Sequence, residues 1–129
     1  GKKKPRPKPS YVWSQPNLPL FVRAMALAGE TLFVAGPPDH DLAEDAQSYL
    51  KHRSAEVQEK AQQQAEALDG KQGGLLWAVA QGDGKRLAEH KLESPPVFDG
   101  MAAAGGRLYV CTLDGAVVCL GDGFVFRMD

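Results

Sequence analysis

Nowhere in the 129-residue chain do the ~18 consecutive apolar residues of a membrane helix occur. The longest useful apolar run, Leu75 to Ala80, has the length of a strand. Cysteine is scarce as well. Cys111 and Cys119 are the only two, too few for a disulfide framework and without the companion ligands of a tetrahedral zinc site. The single asparagine, Asn17, precedes Leu18-Pro19, so no N-glycosylation acceptor exists. Net charge is nearly absent too. The 15 Lys+Arg face 16 Asp+Glu for a formal −1, which excludes a wholly basic nucleic-acid binder and a wholly acidic tail.

The catalytic signatures are missing in the same way. No G-x-S-x-G, H-E-x-x-H or EF-hand spacing occurs. Gly82-Asp83-Gly84-Lys85 has a phosphate-loop look, but Val79 stands where that loop needs glycine and Arg86 where it needs Ser or Thr, so it reads as a hairpin turn. His40, His52 and His90 are far apart, and Asp39-His40-Asp41 reads as a turn and helix cap. We assign no catalytic, cofactor-binding or metal-ligating residue, and expect no cofactor and no enzyme activity.

What is present is unevenly distributed. Residues 1–9 carry five positive charges and no acid, leaving ten basic against sixteen acidic groups in the rest, a net of −6. Pro5, Pro7, Pro9, Pro16 and Pro19 stiffen the start of the chain and withhold donors. Residues 1–19 therefore read as a basic, Pro-rich linker, with 1–10 disordered. No apolar stretch follows the basic start, so a signal peptide is absent or was lost with an upstream segment.

From Leu20 the texture is that of short strands. Residues 21–28 and 31–35 flank a Gly-containing break and read as a hairpin, which Gly36-Pro37-Pro38-Asp39 ends. Residues 41–68 differ, with no Gly or Pro and many Ala, Gln, Glu and Lys, and predict a helix that stops at Asp69-Gly70. Its apolar stripe, Leu42, Ala46, Tyr49, Leu50, Val57, Ala61, Ala65 and Leu68, is rich in alanine, so it packs weakly. The acidic excess over Lys51, Arg53 and Lys60 reads as a solvated face and leaves room for a protein partner at this helix. We read about 39–73 as a helical insertion rather than a coiled coil. Strand texture returns at 75–80 and 85–92, then at 101–104, 107–112, 116–120 and 124–128, punctuated by Gly or Asp-Gly.

The strands fall into two sets of four, with an internal similarity between them. Ala26-Leu27-Ala28-Gly29-Glu30-Thr31-Leu32-Phe33-Val34 aligns with Ala102-Ala103-Ala104-Gly105-Gly106-Arg107-Leu108-Tyr109-Val110, as A-x-A-G-x-x-L-aromatic-V, and Met25 and Met101 precede the copies equally. Self-similarity over four-stranded units is a mark of propeller blades. The expected fold is all-β, about two four-stranded antiparallel blades over 20–128 with one long helical insertion. Cys111 and Cys119 flank the Asp114-Gly115 turn on adjacent strands; a three-residue loop would let them face each other, a two-residue loop would set Cys111 opposite Val118, and buried free thiols are the expected state.

The run Leu76-Trp77-Ala78-Val79-Ala80-Gln81-Gly82-Asp83-Gly84-Lys85-Arg86-Leu87, followed by Gly106 through Leu120 with its Leu108-Tyr109-Val110-Cys111-Thr112-Leu113-Asp114-Gly115 core, resembles the PQQ-like (quinoprotein-like) β-propeller repeat. The resemblance covers about residues 20–128 outside the insertion. It implies a scaffold for protein or ligand recognition inside a larger protein, with the remaining blades as partners and a periplasmic or cell-envelope location. It departs from the family at Ala88, since a tryptophan that docks between neighbouring blades is expected shortly after Gly84-Lys85. Some members of this fold are quinone- and calcium-dependent dehydrogenases with an adjacent cysteine pair, so the alternative is a terminal fragment of such an enzyme whose cofactor site lies on other blades. Cys111 and Cys119 are not adjacent, and Trp77 reads as packing in an inner strand, so no quinone site transfers to these residues.

Overall fold

The computed structural model describes residues 5, 6, 8, 10–41 and 55–121. Two antiparallel sheets dominate their regular structure. The first comprises β1 (Ala24–Ala28), β2 (Thr31–Gly36), β3 (Gly74–Ala80) and β4 (Arg86–Leu92) in sequential order, and the second comprises β5 (Pro96–Ala104), β6 (Arg107–Thr112) and β7 (Val117–Leu120). One helix, α1 (Ala55–Leu68), lies between β2 and β3 in the chain. The chain is thus mostly β with one helical insertion, as the sequence predicts. The expected strand at 124–128 and the first part of the expected helix lie outside the described residues.

Local chemistry sets the hairpins. Ala28 pairs with Thr31 across Gly29-Glu30, and Ala104 pairs with Arg107 across Gly105-Gly106. Gly105 and Gly106 both sit at positive φ, 59° and 75°, which a two-residue turn matching strand twist requires of both its central residues. β5 begins at Pro96, five residues before the predicted strand, and its register shifts between Pro96 and Met101. A proline at the first strand position forfeits only an edge hydrogen bond, so the ladder tolerates it there.

The two sheets pack face to face. Phe33, Ala35, Leu76 and Ala78 of the first sheet meet Leu108 and Val110 of the second in one buried cluster, with Ala26, Ala28, Met101, Ala103 and Leu120 around it. β1 and β5 run beside each other. The Asp99 N–H donates to the Arg23 carbonyl at 3.0 Å just ahead of β1.

The helix is held by polar contacts more than by area. Gln64, 4% exposed, accepts from the His40 N–H at 2.6 Å and donates to the Pro38 carbonyl at 3.0 Å. Gln72 accepts at 2.7 Å from His40 Nε2 and donates to the Gln63 carbonyl. These bonds turn Val57, Gln64 and Ala67 inward and leave Ala65 and Leu68 exposed, a rotation of the face expected from apolar spacing alone. The helix ends where the sequence places its stop. There the Gly70 N–H bonds to Ala67, the Lys71 N–H to Glu66, and Arg23 Nη2 caps the Leu68 carbonyl at 3.0 Å.

Candidate interaction surface

Each sheet has one face in the shared core and one face turned away. On the first sheet the outward face carries Leu32, Val34, Leu75, Trp77 and Val79, and it is covered by Trp13, Leu18 and Leu20. The cover is specific. Trp13 Nε1 donates to the Gln81 carbonyl at 2.7 Å and Gln15 Nε2 to the Gly84 carbonyl at 2.9 Å. At the other end Leu20 bridges to Pro38 and the Phe21 N–H donates to the Pro37 carbonyl. The part of the Pro-rich segment from Trp13 to Leu18, read from sequence as linker, therefore lies against the sheet. Proline withholds ladder donors from this segment, but a segment outside the ladder can still pack through its side chains.

Gly84 makes the strap possible. Its φ of +73° suits glycine, and any Cβ there would collide with the Trp13 ring. Beneath the strap, Trp77 is buried to 9% exposure, so the reading of Trp77 as a packing residue matches its surroundings. Its Nε1 finds no hydrogen-bond partner among the described residues. The Arg86 guanidinium lies 5.3 Å above the ring and also pairs with Glu89 at 3.1 Å, so the cation stays on the indole face. β1 extends past the strap, leaving Met25 and Leu27 exposed at 59% and 53%.

On the second sheet the outward face has no such cover among the described residues. Ala102 and Ala104 of β5, Tyr109 and Cys111 of β6, and Val117 and Cys119 of β7 are all exposed, Val117 at 71%. Arg107 is the charged residue of this face, at its turn end. The two cysteines are free and exposed, not buried as the sequence suggested. Cys111 opposes Val117 and Cys119 opposes Tyr109, because the turn closes with Thr112 bonded to Ala116. The thiols are therefore diagonal neighbours on one face, roughly 7–8 Å apart by strand geometry and out of reach of a disulfide. Neither register considered from the sequence is the one formed.

The other sequence candidates have structural roles. Asp39 Oδ1 accepts from the Asp41 N–H at 2.8 Å and closes a turn, while His40 belongs to the helix clamp. Asp83 Oδ1 accepts from the Lys85 N–H at 3.0 Å, which fixes the Gln81–Gly84 hairpin turn. His52 lies outside the described residues. No group of three His, Cys, Asp or Glu is placed to hold a metal among the described residues. A recess of about 360 Å³ opens between the two Gly-containing hairpin tips, lined by Leu27, Phe33, Ala103 and Arg107 with the turn glycines. Among the described residues no helix is long and apolar enough to cross a membrane. No protein-family model, curated protein or solved structure matches the chain.

Proposed function

We propose that this chain is a two-blade segment of a PQQ-like β-propeller, non-catalytic, serving as a scaffold for protein or ligand recognition within a larger assembly. The observation that supports it most is the direction of packing. The internal repeat aligns Phe33 with Tyr109, and Leu32 and Val34 with Leu108 and Val110. Phe33 points into the shared core while Tyr109 points out of it; Leu108 and Val110 point in while Leu32 and Val34 point away. Non-equivalent faces of equivalent units therefore meet, as they do when blades follow one another around an axis. A pseudo-twofold sandwich would bury like against like.

The function itself follows from fold resemblance together with a broad apolar face suited to recognition.

An experimental structure in solution or crystal tests the blade reading. Carrying β1–β3 onto β5–β7 is expected to take one rotation of about 45–90°, the angle between neighbours in a ring of 4–8 blades. A rotation near 180° overturns it. Sequencing the flanking coding DNA separates scaffold from enzyme: an adjacent cysteine pair with calcium-binding acids would assign the segment to a quinoprotein dehydrogenase, and neither is expected.

A further inference from the structure

The geometry points to a second copy of this chain as the occupant of the open face of β5–β7, docked through its own β1 side so that copies assemble head to tail. This inference rests on the repeat reading above. The repeat makes the open face the counterpart of the surface that the first sheet already buries: Ala102 and Ala104 correspond to Ala26 and Ala28, and Tyr109 to Phe33. The complement of that buried surface within the chain is the Met101, Ala103, Leu108 and Val110 side of the second sheet. Its own counterpart is the Met25, Leu27, Leu32 and Val34 side of the first sheet. The open half is bare on every copy among the described residues; of its complement, Met25 and Leu27 are bare, while Leu32 and Val34 lie under the strap, and the two halves face opposite ways.

The exposed residues agree with this pairing. In the intramolecular interface β1 lies beside β5, with Ala26 and Ala28 near Met101 and Ala103. The next interface would set Ala102 and Ala104 against Met25 and Leu27, the stretch the strap leaves bare. Toward β2 and β3 the incoming copy presents the strap itself, where Tyr11 and Val12 are 80% and 89% exposed. Charge is complementary at the turn end. The β1–β2 and β5–β6 turns lie together inside the chain, so Arg107 of one copy would meet the turn carrying Glu30 of the next. Unlike faces joined in one direction give a ring if the rotation closes and a filament if it does not.

Sedimentation of the full chain from about 1 to 500 µM, with Met25→Glu, Val117→Glu and Ala104→Glu variants, tests this. Wild type is expected at two or more multiples of 13.9 kDa. Each variant alone is expected to sediment as a monomer, and Met25→Glu mixed with Val117→Glu as a one-to-one dimer and nothing larger, since one intact half survives on each. Exposed positions of this kind shift stability little, and two variants on separate strands of the open face guard against one misfolding. A wild type that stays monomeric throughout overturns the inference. So does Met25→Glu that still dimerises by itself, because the open faces would then be pairing with each other. Either failure leaves the blade reading standing, since the inter-sheet rotation tests that separately.

Discussion

The two sheets share the A-x-A-G-x-x-L-aromatic-V pattern and differ, among the described residues, in what covers their outward faces. The first carries the Trp13–Leu20 strap over Val34, Trp77 and Val79; the second shows Tyr109 and Val117 to solvent. With the strap in place both faces of the first sheet are buried, one against the second sheet and one beneath Trp13, Leu18 and Leu20. The shared pattern places apolar residues at matching positions, and their neighbours determine which of them are buried.

That contrast can be broken from its strongest point outward. Phe33→Ala removes a fully buried ring from the inter-sheet core, and should cost about 3–5 kcal/mol in urea unfolding; a loss below about 1 kcal/mol would mean that the sheets hardly depend on each other. Trp13→Ala should cost about 2–3 kcal/mol because its ring is only half buried but carries the bond to Gln81. Gly84→Ala should act through the same contact, so the double variant is expected to fall short of the sum by about 0.5 kcal/mol or more; strict additivity would separate strap from turn. Gln64→Ala leaves the His40 N–H and the Pro38 carbonyl without their partner. It should cost about 1–3 kcal/mol, read most directly as faster amide exchange along α1. Val117→Thr, on the open face, should change monomer stability by less than about 0.5 kcal/mol, and a large loss would show that this face is already covered.

Much of the fold was legible in the chain. The Gly-punctuated apolar runs located β1 to β4, β6 and β7, because two-residue turns and strand alternation are local patterns. The repeat also located the two hairpins that face each other across the recess. What escaped depended on distant partners. Trp13 bonds to a carbonyl 68 positions away, and nothing near Trp13 announces that acceptor. The helix face turned because Gln64, a residue that apolar spacing ignores, found two backbone partners in 38–40. The cysteine register depended on how the Thr112–Ala116 turn closed, which a shift of one residue would have altered. The candidate surface itself was invisible until the sheets were placed, since Tyr109 and Phe33 occupy the same repeat position and only packing tells them apart.

The β2–β3 ladder begins at Gly36 opposite Leu75 and needs nothing from the residues that connect them. The connection leaves the sheet and returns to it at nearly one point, so its contour length is decoupled from the register on either side. Loop-closure entropy grows only logarithmically, by about 0.6 kcal/mol for each doubling of length, which makes such a junction a port where chain can be added or withdrawn during evolution at small thermodynamic consequence. The helix seated there is clipped on by a glutamine and a histidine, so its attachment is local and leaves the ladder untouched.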